Sequence, residues 1–171
     1  LERINIEACT SLTNFPNSWL YNCPGITSLT VPASVQTFGS NNMFSYTDNI
    51  ETITFLAPSV PNNFYNGRSN LKTVNIGRGV KSIGNYAFQN SYGMTRLNID
   101  SSVNDLVIGN YAFQNVDAIE SLTLPKGIIS IGANAFSNID SLRAVSFATG
   151  SKLTTLGDGA FRDNTKLGRI N

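Results

Sequence analysis

The chain has 171 residues, of which 41% are hydrophobic and 13% charged, with a formal net charge of +1. This length suffices for one domain with its own core. The small net charge gives no strong field to attract polyanions, which disfavours nucleic acid as a partner. The sequence has no histidine, the commonest general base and metal ligand, and no apolar stretch reaches the ~20 residues of a membrane helix.

One apolar pattern recurs along the whole chain. Two aliphatic residues stand three positions apart, and a third apolar residue follows two positions later. Because a strand alternates its faces, the last two apolar residues of each copy should point inward and the residue between them outward. We predict one short parallel strand per copy. The copies begin 21–25 residues apart, at Leu1, Ile26, Ile50, Leu71, Met94, Ile119, Leu142 and Leu167.

A second block follows each strand and reads Ile-Gly-x-x-Ala-Phe in its clearest copies, which begin at Ile83, Ile108 and Ile131. Pro16 and Pro61 replace the glycine in two degenerate copies. Proline fixes φ near −65°, so this position should not need positive φ. Since proline favours the first position of a helix, we predict one short helical turn here, with glycine serving close packing between coils.

The two blocks together resemble the BspA-like leucine-rich repeats, in which a strand, often a proline, and a valine precede Ile-Gly-x-x-Ala-Phe. Val31-Pro32, Leu124-Pro125, Val35, Val80 and Ile128 fit this signature. The resemblance covers the whole chain and is weakest in repeats one and three. It implies an α/β solenoid: a right-handed leucine-rich-repeat superhelix with a parallel β-sheet on the concave face and short helical or 3-10 turns on the convex face.

The domain organisation follows from the repeat count. We expect residues 1–171 to form a single leucine-rich-repeat domain of about seven repeats. The first and last copies are incomplete, so we expect an array truncated at both ends. Cut repeat faces are apolar, which makes end-to-end self-association an expected behaviour.

Catalytic and metal chemistry find little support. A Ser-His-Asp triad is impossible without histidine, and no spacing matches calcium or zinc. A paired-carboxylate site stays open in principle, but the acidic residues are dispersed. Cys9 and Cys23 should lie at opposite edges of one coil, beyond the ~7 Å Cα limit for a disulfide. We predict buried structural thiols, with a disulfide or reactive thiol as the alternative, and no enzyme activity, cofactor or metal.

The outward strand positions form polar ladders. Ordinary β propensity and solubility explain them well, while the functional alternative is a wide polar surface for a protein or glycan. Arg96 and Arg169 are the best contact candidates because arginine presents a planar fork of donors, and Lys72 and Glu120 stand close by. The candidate binding surface comprises Arg3, Asn5, Thr30, Thr54, Lys72, Asn75, Arg96, Asn98, Glu120, Thr123, Ser146 and Arg169.

The resemblance also implies a function. Proteins of this kind are commonly bacterial cell-surface or secreted proteins that act in adhesion or host interaction. We therefore expect a non-catalytic module that binds an extracellular protein or glycan, with no nucleic acid and no membrane insertion in this segment. The alternative is a passive structural array, a stalk or spacer in a larger multidomain surface protein.

Overall fold

The computed structural model describes residues 3–4, 6, 8–39 and 41–171. Within them, strands and turns alternate regularly, and one 3-10 helix spans Asn41–Phe44. The strands are β1 Arg3–Ile4, β2 Asn14–Phe15, β3 Ser28–Val31, β4 Thr37–Phe38, β5 Thr52–Phe55, β6 Ser59–Val60, β7 Thr73–Ile76, β8 Ser82–Ile83, β9 Arg96–Ile99, β10 Leu106–Ile108, β11 Ser121–Leu124, β12 Ile128–Ile131, β13 Ala144–Phe147, β14 Thr155–Leu156 and β15 Arg169–Ile170.

The chain is a parallel β-solenoid of about seven turns. Odd-numbered strands pair from coil to coil in the order β1-β3-β5-β7-β9 and again as β11-β13-β15, and we call this side the long-strand face. Even-numbered strands pair as β2-β4 and as β6-β8-β10-β12-β14. Equivalent residues of successive repeats stand opposite each other, as Ile53 and Val74 do. The prediction of a parallel strand at the apolar pattern of each copy is confirmed for the described residues, whereas the second ladder, of even-numbered strands, was not predicted.

The core is continuous along the solenoid. The inward strand residues Ile53 and Phe55 are fully buried, as are the aromatic residues that end the Ile-Gly-x-x-Ala-Phe blocks. Rings of Phe88, Phe113 and Phe136 stack with centroids 5.5 and 5.3 Å apart. Each coil therefore buries its apolar residues against both neighbours, as repeat architectures require.

The side opposite the long strands, which we call the turn face, corrects the prediction. It has almost no helix, so the expected short helical turns of a convex face are wrong. Instead, alternate backbone N–H groups of one block donate to the next coil, from Tyr86 to Asn110 O and from Asn90 to Gln114 O, both at 2.9 Å. Tyr86 and Asn90 have φ of 58° and 60°. This left-handed backbone directs the N–H groups between coils, where a helix would keep them within one turn.

The glycine slot is explained by close packing, as the sequence predicted. A Cβ on Gly109 would lie 2.7 Å from Asn85 Oδ1 and 2.8 Å from Asn85 N in the preceding coil. Asn85 Oδ1 in turn accepts a hydrogen bond from Asn110 N at 2.8 Å. Side chain and backbone of adjacent coils thus interlock at Gly109, where a Cβ would clash.

Both cysteines are free thiols, but the expectation that both are buried is wrong. Cys9 is exposed in the turn after the first strand, and Cys23 is half-buried. Cys23 N donates to Thr47 Oγ1 at 2.9 Å, so this residue contributes to inter-coil hydrogen bonding through its backbone. The turn that contains Cys9 therefore lies outside the apolar core.

Candidate functional site

The long-strand face divides in two between β9 and β11. β9 pairs with β7 and β11 pairs with β13 over four residues each, but no pairing joins β9 to β11. At neighbouring junctions the residue after the strand donates to the preceding coil, as Asp100 N does to Ile76 O at 2.9 Å. The equivalent residue here is Pro125, which has no N–H to give to Ile99 O. This junction therefore lacks the hydrogen bond to Ile99 O, because proline has no N–H.

The β9 edge presents unpaired backbone groups to the gap. In a parallel pair, alternate residues direct their N–H and C=O to opposite neighbours. Arg96 N donates to Lys72 O at 3.1 Å, which places the groups of Arg96 and Asn98 toward β7. The N–H and C=O groups of Leu97 and Ile99 consequently point into the gap.

The β11 edge presents a matching row. Arg143 N donates to Glu120 O at 2.8 Å and Ala148 N to Leu124 O at 2.9 Å, so these positions serve the ladder with β13. By the same alternation, the N–H and C=O groups of Ser121 and Thr123 point toward β9. Two parallel strand edges therefore face one another across open space.

The opening is confined to the long-strand face. On the turn face, Tyr111 N still donates to Ala133 O at 2.9 Å across the same junction. At the loop edge, a Cβ on Gly127 would stand 1.8 Å from Val103 O, so the two coils touch there as closely as glycine allows. The junction is a wedge whose closed side is the turn face and whose open side lies between β9 and β11.

The wedge forms a cleft of about 930 Å³. Leu97 and Ile99 are only half-buried in it, whereas their equivalents Val74 and Ile76 in the unbroken sheet are buried. The cleft thus offers apolar surface beside backbone hydrogen-bonding groups. It is lined by Thr95, Arg96, Leu97, Asn98, Ile99, Ser101, Ala118, Glu120, Ser121, Thr123, Pro125, Lys126 and Ala148.

Three charged side chains stand at the cleft. Arg96, Glu120 and Lys126 are exposed, and among the described residues none of them forms an ion pair. Their sum is one positive charge. Because these side chains are not committed to partners within the chain, they are available to a ligand at little cost in broken contacts.

A side-chain ladder ends at the cleft. Asn75 Nδ2 donates to Thr54 Oγ1 at 3.0 Å, and Asn98 Nδ2 donates to Asn75 Oδ1 at 2.8 Å. The next position across the gap is Thr123, whose side chain has no hydrogen bond within the described chain. The Oδ1 atom of Asn98 is the last acceptor of the ladder, and Asn98 belongs to the cleft lining.

A half-buried carboxyl group, that of Asp117, lies next to Ala118 of the cleft lining. Asp117 Oδ1 is buried and has no hydrogen-bond partner among the described residues. Burial raises the pKa of Asp117, and the nearby negative charge of Asp140 raises it further. This group precedes Ala118 in the turn that leads into β11.

The structure brings only some of the residues of the sequence-predicted binding surface together at the cleft. Arg96, Asn98, Glu120 and Thr123 line the cleft. Asn5 lies outside the described residues, and Arg3 is described as a backbone partner of Ser28 only. The others do not line it: Thr30, Thr54 and Asn75 lie on strands of the continuous sheet, Lys72 lies just before β7, and Ser146 and Arg169 lie on the strands beyond β11.

Sequence reasoning missed the apolar part of the site. Leu97 and Ile99 carry the inward pattern and were predicted as core, yet they flank the opening. Pro125 and Lys126 were not considered as binding residues. The one available signal was Pro125, since a proline at that position removes a donor from the ladder.

Comparison with known proteins gives the family. A model of the BspA type leucine rich repeat region matches residues 1–59 and 58–171 in six copies. The chain belongs to the BspA-type leucine-rich repeat family. The resemblance drawn from the Ile-Gly-x-x-Ala-Phe blocks is confirmed, and leucine-rich repeats account for the chain from end to end.

Solved structures share the fold of this BspA-type chain. A T. pallidum leucine-rich repeat protein is 21% identical, with a TM-score of 0.65 over 84% of this chain and 57% of its own. The pneumococcal vaccine antigen PcpA is 16% identical, with a TM-score of 0.58 over 93% and 48%. A leucine-rich repeat protein of Bacteroides ovatus is 16% identical, with a TM-score of 0.52 over 94% and 52%. The chain spans about half the length of these proteins, and no curated relative matches it.

The described residues contain no group of three or more potential metal-binding side chains. They also contain no helix with the length and apolar character needed to cross a membrane. The cleft between β9 and β11 is therefore the feature of this part of the chain on which a functional proposal rests.

Proposed function

We propose that this BspA-type repeat array is a non-catalytic binding module of a bacterial cell-surface or secreted protein, acting in adhesion or host interaction. The observation that carries the proposal is the cleft between β9 and β11. It combines half-buried apolar side chains, unpaired backbone groups and uncommitted charges in one concavity. Binding sites are typically concave and mix an apolar lining with a few polar groups.

The lining favours a protein ligand over a glycan. Sugar-binding surfaces usually offer an aromatic ring on which the apolar face of a sugar can stack, and the cleft lining contains none. It contains instead strand edges and Arg96, which has no ion-pair partner among the described residues. Arginine is one of the residue types enriched at the contacts that contribute most to protein–protein binding. The exposed aromatic pair Tyr86 and Tyr111, stacked at 5.0 Å, lies on the turn face.

The proposed cell-surface or secreted location is supported by the description of a protein with the same fold. PcpA, whose fold this chain shares, is described as a pneumococcal vaccine antigen, and an antigen of that kind must be accessible to antibodies. A surface or secreted location for this chain is consistent with that and with a ligand outside the cell.

A spacer function is the second candidate, and a specific observation favours it. The turn-face ladder and the ring stack run unbroken past the cleft junction, which makes a stiff array suited to separating other domains. A spacer needs no ligand, so a measurement of ligand binding distinguishes a binding module from a spacer.

The test is a binding screen of the 1–171 chain against extracellular matrix proteins and a glycan array, followed by variants. Arg96→Ala should weaken a protein hit at least ~5-fold, because an arginine at a desolvated contact carries much of the binding energy. Arg143→Ala, an exposed arginine outside the cleft, is the matched control and should leave affinity unchanged. Thermal melting checks that both variants fold.

Three outcomes would count against the proposal. Loss of binding in a Tyr86→Ser/Tyr111→Ser double variant, with Arg96→Ala unaffected, would move the site to the turn face. Hits confined to glycans would overturn the protein ligand. No hit among proteins or glycans would favour the spacer.

A further inference from the structure

We propose that the cleft takes an extended peptide segment of a protein ligand, which inserts between β9 and β11 as an additional parallel strand. This inference rests on the proposed binding function and specifies its ligand class and mode. Peptides commonly add to an exposed sheet edge; here the edges of two sheets, β9 and β11, face the same space.

The backbone groups on the two walls match what a strand supplies. The unpaired donors are the N–H groups of Leu97 and Ile99 on β9 and of Ser121 and Thr123 on β11, each accompanied by its C=O. They recur at every second residue, a spacing of roughly 6.6 Å in a parallel strand. An extended peptide presents N–H and C=O pairs at this period to both sides alternately. A sugar chain has no such repeating donor and acceptor pair.

The size of the cleft agrees with one strand. A four-residue strand occupies roughly 600 Å³, given a rise of 3.3 Å per residue, a strand spacing of 4.8 Å and a sheet depth of 10 Å. The cleft, at about 930 Å³, exceeds this volume, which already includes the side chains of the segment. A helix, ~10 Å across, would leave the edge groups without partners.

The walls also predict the sequence pattern of the ligand. Residues next to Leu97 and Ile99 would point inward and should be apolar, since those two side chains are half-buried and lack a neighbour on the open side. Residues between Arg96 and Ser121 and between Asn98 and Thr123 would point outward. An acidic residue fits beside the unpaired Arg96, and a threonine or serine continues the side-chain ladder from Asn98.

The experiment uses a synthetic peptide with this pattern, acetyl-Ser-Asp-Val-Thr-Val-Ser-amide, titrated into the 1–171 chain. The first control peptide has the same sequence with N-methyl groups on alternate amides, which removes donors without changing side chains. The second exchanges the valines with the aspartate and threonine, which reverses the inward and outward positions. We expect binding of the first peptide, and at least ~10-fold weaker binding of both controls.

Protein variants test the edge itself. Thr123→Pro removes an N–H that has no partner in the free protein and should weaken peptide binding at least ~10-fold without lowering the melting temperature appreciably. Thr123→Val keeps that N–H and loses only the hydroxyl group, so Thr123→Pro should bind the peptide at least ~10-fold more weakly than Thr123→Val does. A Thr123→Pro variant that binds the peptide normally would overturn strand insertion.

The outcomes separate this inference from the proposed function. If a protein hit from the screen depends on Arg96 but tolerates Thr123→Pro, and the patterned peptide does not bind, the binding function stands and strand insertion is wrong. If neither the screen nor the peptide gives binding, both fail. If the chain instead dimerises through a contact that Thr123→Pro abolishes, the occupant is a second copy, and the foreign peptide is excluded.

Discussion

At the residue scale, the cost of a substitution in free energy of unfolding depends on whether the side chain points inward or outward. Phe136 is fully buried, with rings stacked on either side at 5.3 and 5.5 Å, whereas Thr123 is exposed at the cleft. Phe136→Ala should lower the free energy of unfolding by about 3–5 kcal/mol, because it opens a cavity in a continuous stack. Thr123→Ala should cost less than ~1 kcal/mol. Chemical denaturation of both variants checks this, and equal losses would contradict the assigned faces.

Asp117 gives a pH-dependent prediction. Its pKa is raised by burial and by Asp140, so the folded protein binds this proton more readily than the unfolded chain does. The group therefore stabilises the fold below its unfolded pKa, near 3.9, and that contribution is lost as pH rises through the folded value. Asp117→Asn should raise the melting temperature at pH 7, with the gain shrinking toward pH 4.

Melting curves of the original chain and Asp117→Asn across this pH range make the measurement. Asp140→Asn is the control. It removes only the smaller cause of the raised pKa of Asp117, the negative charge of Asp140, and should give a smaller gain in melting temperature. An original chain that is more stable than Asp117→Asn at pH 7 would show that the carboxylate has a stabilising partner.

At the scale of single elements, the odd-numbered strands were predictable, and the even-numbered strands and the turns were not. Alternation of apolar residues determines which strand face is buried, as at Ile53 and Phe55, and the sequence shows that pattern directly. The turn depends on backbone conformation at residues such as Tyr86 and Asn90. Asparagine tolerates left-handed φ, and recurring Asn90 and Asn115 could have signalled it. Tyrosine gives no such signal, and Pro16 and Pro61 pointed toward helix.

The split of the sheet was also beyond prediction. β11 has the same Ser-Leu-Thr pattern as β3, and Pro32 follows β3 as Pro125 follows β11, yet β3 pairs with β1 while β11 leaves β9 unpaired. Proline alone therefore does not decide pairing. The close approach of Gly127 to Val103 O and the register shift between β10 and β12 also act at this junction, and both depend on the packing of two coils.

A pair of proline variants compares the split junction with an intact one. The N–H of Thr54 serves the ladder between β5 and β3, so Thr54→Pro should cost at least ~2 kcal/mol through a lost and unsatisfied ladder bond. Thr123→Pro should cost under ~1 kcal/mol, since its N–H faces the cleft. Each is compared with the corresponding valine variant in chemical denaturation. Equal costs would mean that β9 and β11 pair in solution.

At the scale of the whole molecule, the solenoid is continuous on one side and interrupted on the other. The ring stack keeps a spacing of 5.3–5.5 Å from Phe88 to Phe161, while the long-strand face opens at one junction. The repeat period predicted the number of coils and the core. The site depends on a departure from the repeat, which an analysis of what the copies share could not reveal.

The most direct test of this account is hydrogen exchange of individual amides in the ligand-free chain, measured by NMR. The N–H groups of Leu97, Ile99, Ser121 and Thr123 should exchange at least ~100-fold faster than those at the equivalent positions of the intact sheet, because only the latter are held in a ladder. Those reference amides are Val74, Ile76, Thr73 and Asn75. Comparable protection of the two sets would show that the sheet is closed between β9 and β11, and would contradict the cleft and the binding proposals built on it.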